Sequence, residues 1–169
     1  MTHHVTLRAS CPDDKPFLYE IYSGIRRDEV ASLGWSREQE EAFFRMQFAA
    51  RQHSYRNQFP DASYSIIELG KRPVGGMLVA RDGDGICLVD IALLHPFRGK
   101  GIGRKLIAEL LDQGAKAGLG VRLSVVKGNR AINLYRRLGF SEVGEEAGGM
   151  YVKMEWPSPK PAIASGGNR

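Results

Sequence analysis

Cysteine is scarce: Cys11 and Cys87 are the only two in 169 residues, with no Cys-x-x-Cys pair and no histidine at ligand spacing. Neither a disulfide framework nor a zinc site is indicated, and both thiols are expected to be reduced and structural. No apolar run reaches the ~18 residues of a membrane span, and the N-terminus lacks the basic-then-apolar layout of a secretory signal. The expectation is a cytoplasmic protein that does not enter a membrane. Blocks of five or more basic residues are missing, and His3 and His4 are too few for a metal tract. The net charge of +5 favours an anionic partner without choosing one. Nucleic acid is not expected, because the aromatic residues sit at core spacing rather than interleaved with exposed Lys and Arg. No internal repeat is present.

With 43% hydrophobic and 25% charged residues, the chain has the balance of one globular domain. Val5 to Arg8 alternates as a short strand, and Cys11-Pro12-Asp13-Asp14 then supplies turn and capping chemistry before a helix with Phe17, Ile21 and Ile25 on one face. Ser36, with Gln39 three residues on, opens a longer helix to about Asn57, for which the spacing predicts a core stripe of Phe43, Met46, Ala50 and His53. Strand-like runs follow at Ala62 to Leu69, Pro73 to Arg81 and Ile86 to Leu94, separated by turn pairs, and predict an antiparallel meander. The third is apolar on both faces apart from Asp90, which places it mid-sheet. Ile102, Leu106, Ile107, Leu110 and Leu111 then mark a helix, followed by a strand at Val121 to Val126. A short helix opens at Asn129 with Ala131, Leu134, Tyr135 and Leu138 inward, and Gly139 ends it. Two last strands fit Phe140 to Glu145 and Met150 to Trp156. Residues 1–156 form the expected domain, and 157–169, rich in Pro and Gly, the expected tail.

The informative stretch is Arg98-Gly99-Lys100-Gly101-Ile102-Gly103, between a buried strand and an amphipathic helix. Glycines there allow close approach of a ligand, and unpaired amides at a helix start suit phosphate or pyrophosphate. Lys100, Arg104 and Lys105 add positive charge. Neither Gly-x-Gly-x-x-Gly nor the P-loop spacing is met. The stretch matches Arg/Gln-x-x-Gly-x-Gly/Ala through Arg98, Gly101 and Gly103. With Asn129-x-Ala131-x-x-Leu134-Tyr135-x-x-x-Gly139-Phe140 downstream, the chain resembles the GCN5-related N-acetyltransferase superfamily. Close motif matches run from about Leu88 to Phe140. One departure is His95 where that family often has proline, with Pro96 one residue later.

The resemblance implies a single α/β (α+β) domain: a central, mostly antiparallel sheet of about seven strands, splayed at its centre, with about four helices. It implies acetyl-CoA as the acyl donor and direct attack of a primary amine on the thioester. It assigns cofactor binding to Ile91, Ala92, Leu93 and Leu94, to the turn Arg98, Gly99, Lys100, Gly101, Ile102, Gly103 and Arg104, and to Asn129, Ala131 and Tyr135. Tyr135 becomes the acid that protonates the leaving thiolate, and a backbone N–H near Leu93 or Leu94 the oxyanion donor. The base is open among Asp90, Glu68 and a water relay, with His95 a further proton carrier. Arg26, Glu29 and Trp35 are acceptor candidates within the long segment 22–58, beside Gln47 and Tyr55. The acceptor itself, a small-molecule amine or a peptide or protein amine, stays open, as does dimerisation. The competing reading is a catalytically silent CoA-binding or regulatory module, against which Tyr135 argues. No metal is expected.

Overall fold

The computed structural model describes residues 4–159. Seven strands form one sheet: β1 (Val5–Ala9), β2 (Ser63–Leu69), β3 (Arg72–Asp82), β4 (Gly85–Leu93), β5 (Val121–Val126), β6 (Ser141–Glu146) and β7 (Tyr151–Trp156). Their order is β1-β2-β3-β4-β5-β7-β6, so β4 is the middle strand, as its two-sided apolar pattern requires. Four helices, α1 (Lys15–Val30), α2 (Arg37–Gln58), α3 (Ile102–Ala117) and α4 (Ala131–Arg137), complete the α/β domain. A parallel ladder joins β4 to β5 and covers three pairs, Ile86–Leu88 with Val121–Leu123. No helix among the described residues is long and apolar enough to cross a membrane.

The chain packs as two compact units, Met1–Ala80 with Val89–Gly103 and Arg81–Leu88 with Arg104–Arg169. In the first, β1 and β2 are antiparallel with Val5 opposite Leu69, and β2 runs antiparallel to β3 with a bulge at Ile67/Glu68. Arg8 clamps this end: its two terminal nitrogens each lie 2.8 Å from an oxygen of Asp14, and its Nε lies 2.8 Å from Glu68. Arg8, and then the Cys11 amide, hold the Asp14 carboxyl well below the usual carboxylate range. Ser36 caps α2 reciprocally: its hydroxyl accepts from Gln39 N–H at 3.2 Å, and the Gln39 side chain accepts from Ser36 N–H at 2.9 Å.

The helix faces differ from the sequence expectation. In α2 the buried residues are Phe44 and Phe48, packed with Tyr22 and Val30 of α1, whereas Met46, Ala50 and His53 are exposed and Phe43 is half-buried. In α1 the buried face carries Ile21, Tyr22 and Val30, and Ile25 is exposed. The spacing 44, 48, 51, 55 is as helical as 43, 46, 50, 53, but it contains Arg51, which disguises the inward face.

In the second unit the α3 face predicted from Leu106, Ile107, Leu110 and Leu111 is buried as expected, with Val121, Leu123 and Met154. β7 lies between β5 and β6, antiparallel to both. In α4 the buried residues are Ile132 and Tyr135; Ala131, Leu134 and Leu138 are only half-buried, so the inward face is turned from the predicted one. Of the expected tail, Ser158 donates to the Gly118 carbonyl at 2.6 Å, and residues 160–169 lie outside the described residues. Both cysteines are free thiols, Cys11 exposed and Cys87 buried, and burial pushes the Cys87 thiol up.

The phase of α2 is open to a direct check by denaturant unfolding. Phe44→Ala, at a site 1% exposed, is expected to cost about 3–5 kcal/mol. Met46→Ala, on the predicted but solvent-facing stripe, should stay within about 0.5 kcal/mol of the parent.

Candidate active site

Two features of the first unit carry the chemistry. The first is the turn after β4. Leu94 N–H donates to the Val74 carbonyl at 2.9 Å, and a short helical turn, His95–Phe97, redirects the chain. Arg98 donates from Nε to the Leu93 carbonyl at 2.9 Å, so its guanidinium closes the turn on itself. Gly99 and Gly101 then adopt left-handed φ values of +70° and +82°, which glycine reaches without the steric cost of a Cβ. Nothing lies within 4 Å of a Cβ built on Gly99, Gly101 or Gly103, so this backbone is approachable. The turn feeds directly into α3, a helix of 16 residues whose first amides have no intrahelical partner. Arg98, Lys100 and Arg104 are exposed, whereas the Ile102 side chain is buried and anchors the helix start. Phe97 adds a contact that the sequence did not suggest, its ring lying 5.3 Å from the Arg72 guanidinium and 5.9 Å from the Lys100 ammonium. An open, cationic, glycine-lined helix start fits a pyrophosphate.

The bond from Leu94 N–H to Val74 corrects one expectation. That amide is committed to the β3 segment and is not the oxyanion donor.

The second feature is a small, solvent-open pocket lined by α1, α2, β2, β3 and β4. Asp90 projects into it from β4, and Arg51 reaches it from α2, with Nη2 2.8 Å from Asp90 Oδ1. The Arg51 Nε donates to the Tyr55 hydroxyl at 2.8 Å, and its guanidinium lies 5.3 Å from the Tyr22 ring and 5.1 Å from the Tyr55 ring. Tyr64 donates to Asp90 Oδ2 at 3.4 Å. Burial pushes the Asp90 carboxyl above the usual carboxylate range, opposed by Arg51 and Tyr64. Burial works against the charge on Arg51, but Asp90 and Tyr55 more than offset it and keep the guanidinium protonated. Burial, and then Asp90, push the Tyr64 hydroxyl up, so it remains a donor at neutral pH.

The floor of the cavity is Gly76, where a Cβ would come within 3.0 Å of Leu18 Cδ2 and 3.3 Å of Tyr64 Cε1. Leu18, Ile21, Ile25 and Phe48 make the apolar wall.

The sequence candidates fall in several places. Asp90 and Ala92 line the cavity, while Ile91, Leu93 and Leu94 continue the strand toward the turn. Glu68 is held by Arg8 at the β1 end of β2. Arg26, Glu29 and Trp35 do not line the cavity. Arg26 pairs with Glu29 at 2.7 Å and donates to the Tyr22 hydroxyl at 3.1 Å, and Trp35 packs edge-on against Phe43. Gln47 is likewise outside the lining, and His95 is exposed in the turn. Arg51, Tyr64, Tyr22 and Gly76 were missed as site residues. A signal for Arg51 existed: it falls on the same helical stripe as Phe44 and Phe48.

In the second unit Asn129 lies two residues before α4, whose N-cap is Arg130, and its side-chain oxygen accepts from Ala131 N–H at 2.9 Å and its carbonyl from Ile132 N–H at 3.1 Å. Tyr135 is 7% exposed, with its ring edge-on to Phe140 at 5.7 Å.

Comparison with known proteins agrees with this arrangement. The sequence profile described as the acetyltransferase (GNAT) family matches residues 18–140. Solved structures share the fold. The PaiA N-acetyltransferase from Thermoplasma acidophilum, in complex with coenzyme A, is 19% identical over 91% of this chain and 99% of its own, with a TM-score of 0.67. An acetyltransferase from Thermus thermophilus is 19% identical over 92% and 98%, with a TM-score of 0.65. The ribosomal-protein-S18-alanine N-acetyltransferase from Escherichia coli is 22% identical over 95% and 98%, with a TM-score of 0.64. No curated protein matches the chain. With the family profile spanning most of the chain over both glycine turn and tyrosine motif, this protein belongs to the GNAT acetyltransferase family and is an acetyl-CoA-dependent N-acetyltransferase.

Proposed function

We propose that the chain acetylates a primary amine seated in the cavity beside Asp90, with Asp90 as base, Tyr135 as acid and the turn from Arg98 to Arg104 holding the cofactor's pyrophosphate. The observation that carries this reading is the placement of Asp90. It is a desolvated carboxylate on β4, four residues before the Leu94 that leads into the glycine turn, facing an open cavity rather than the core.

Acetyl-CoA, when bound, supplies a thioester carbon as electrophile. The amine must reach it uncharged, and the Asp90 carboxylate takes the proton that the ammonium gives up. The nitrogen lone pair then forms the C–N bond as the C–S bond breaks, and the sulfur keeps that electron pair. The thiolate takes its proton from the Tyr135 hydroxyl, and the acylated nitrogen sheds its second proton to solvent, from which the tyrosinate is reprotonated, so no charge is left stranded. Arg51 fixes the Asp90 carboxylate through one oxygen, while Tyr64 supports the other. Glu68 is not needed in this scheme, being spent on Arg8. Asn129 and Ala131 belong to the cofactor side on the strength of their motif, as does Tyr135. The approachable backbone of the turn supports pyrophosphate binding through its amides, with Lys100 and Arg104 adding charge. Dependence on acetyl-CoA supports a cytoplasmic setting, and association of two copies belongs to the same proposal.

Three outcomes are expected. Gly101→Glu forces an L-residue to a φ of +82° and adds like charge to the phosphates, so calorimetry should show the acetyl-CoA Kd rising by about tenfold or more. Tyr135→Phe keeps the contact with Phe140, so turnover should fall by about 100-fold with acetyl-CoA affinity kept. The Asp90 carboxyl is raised above the usual range and acts as a base only when ionised. The kcat/KM of the parent enzyme should therefore rise with pH through a midpoint above that of an ordinary aspartate, and Asp90→Asn should remove that limb and lower the plateau by about 100-fold.

A further inference from the structure

We infer that the acceptor is a free α-amino acid with an apolar side chain, bound as the zwitterion. This deepens the cavity reading above and rests on it. The polar centre of the cavity is not a lone carboxylate but a cation and an anion in contact, Arg51 and Asp90, 2.8 Å apart and only 31% and 19% exposed. A purely cationic amine would meet Arg51 as soon as it met Asp90, and the repulsion would cancel the attraction. An amine carrying a carboxylate one carbon away matches both: its ammonium lies on Asp90 while its carboxylate lies on Arg51, antiparallel to the protein's own pair.

The guanidinium is prepared for that role. It lies 5.3 Å from the Tyr22 ring and 5.1 Å from the Tyr55 ring, Nε is engaged by Tyr55 and Nη2 by Asp90, and the donor fork of a guanidinium suits a carboxylate as a further partner. Arginine in a fixed plane favours a carboxylate over a single carbonyl oxygen. A peptide N-terminus, whose next group is a neutral amide, leaves the arginine charge unmatched. On α1, Arg26 pairs with Glu29 at 2.7 Å, so the charge of each is offset by the other.

The rest of the lining selects the side chain. Leu18, Ile21, Ile25 and Phe48 offer an apolar wall, and Gly76 lets Leu18 and Tyr64 pack directly against the β3 backbone. Among the described residues, no carboxylate other than Asp90 lines the cavity to receive a second ammonium, which sets polyamines and basic side chains at a disadvantage.

The test is a thiol-release assay on the full chain with acetyl-CoA and three matched acceptors: L-leucine, L-leucinamide and isopentylamine. These share one side chain and differ in carrying a carboxylate, an amide or neither. L-leucine is expected to have a kcat/KM at least ~30-fold above the other two, because a site built to pair a charged group rejects analogues that lack it. In Arg51→Gln that ratio should collapse toward one, mainly through KM for L-leucine, and Arg51→Lys should restore part of it. Circular dichroism confirms that each variant is folded. Equal or better use of leucinamide or isopentylamine by the parent enzyme overturns the zwitterion inference and leaves the cavity reading standing, as does a ratio that survives Arg51→Gln. A separate variant, Ile25→Trp, blocks the exposed mouth without touching the ion pair. If it leaves transfer to every accepted amine unchanged, the cavity is not the acceptor site and both readings fall.

Discussion

The contact between Arg51 and Asp90 is the constraint around which the first unit is arranged. A carboxylate in an otherwise apolar central strand costs free energy that hydrophobic burial does not return, and a guanidinium brought from a helix to meet it costs more. Such a pair is a poor way to make a fold stable. Replacing both partners with apolar residues of the same volume is often neutral or stabilising, whereas removing one leaves a buried charge uncompensated. Its presence on β4, just upstream of the glycine turn, is explained by chemistry: the carboxylate sits in a cavity with its proton affinity raised by burial.

Everything around the pair serves to hold it. Tyr22 from α1 and Tyr55 from α2 flank the guanidinium, and Tyr64 from β2 supports the second carboxylate oxygen. The aromatic cluster of Tyr22, Phe44 and Phe48 fixes the two helices against each other, so the arginine is delivered from a rigid surface rather than a loop. Gly76 lets Leu18 and Tyr64 pack closely on the β3 backbone beside the pair. The cofactor turn is built on a different principle: backbone amides, left-handed glycines and a helix start, with side-chain charge as an addition. In the proposed function acetyl-CoA is held through its phosphates, and the amine by the ion pair.

How much of this was legible followed from how each feature is encoded. The central strand showed itself through a two-sided apolar run, the long helix through the Ser36 and Gln39 capping box, and the cofactor turn through glycines whose positions a phosphate dictates. Asp90 stood out as the one charge in an apolar strand. Arg51 did not, because a charged residue on an exposed-looking helix reads as a solvated face, and its inward direction depends on which of two equally helical stripes meets α1. That choice is made by packing with Tyr22 and Val30, which are remote in sequence. Glu68 stood behind Asp90 as a second candidate base, and the position of Arg8 shows its carboxylate engaged. The same remoteness hid the bond from Leu94 N–H to Val74, which removed one candidate oxyanion donor.

The central claim is that Asp90 is a desolvated carboxylate whose proton affinity is raised although an arginine touches it. Carbon-13 NMR titration of the Asp90 side-chain carboxyl, assigned by comparison with Asp90→Asn, measures this directly. The account predicts a midpoint above the ~3.9 of an unperturbed aspartate. A midpoint at or below that value would mean that the arginine dominates, that Asp90 is a structural counter-ion rather than a base, and that the amine loses its proton elsewhere.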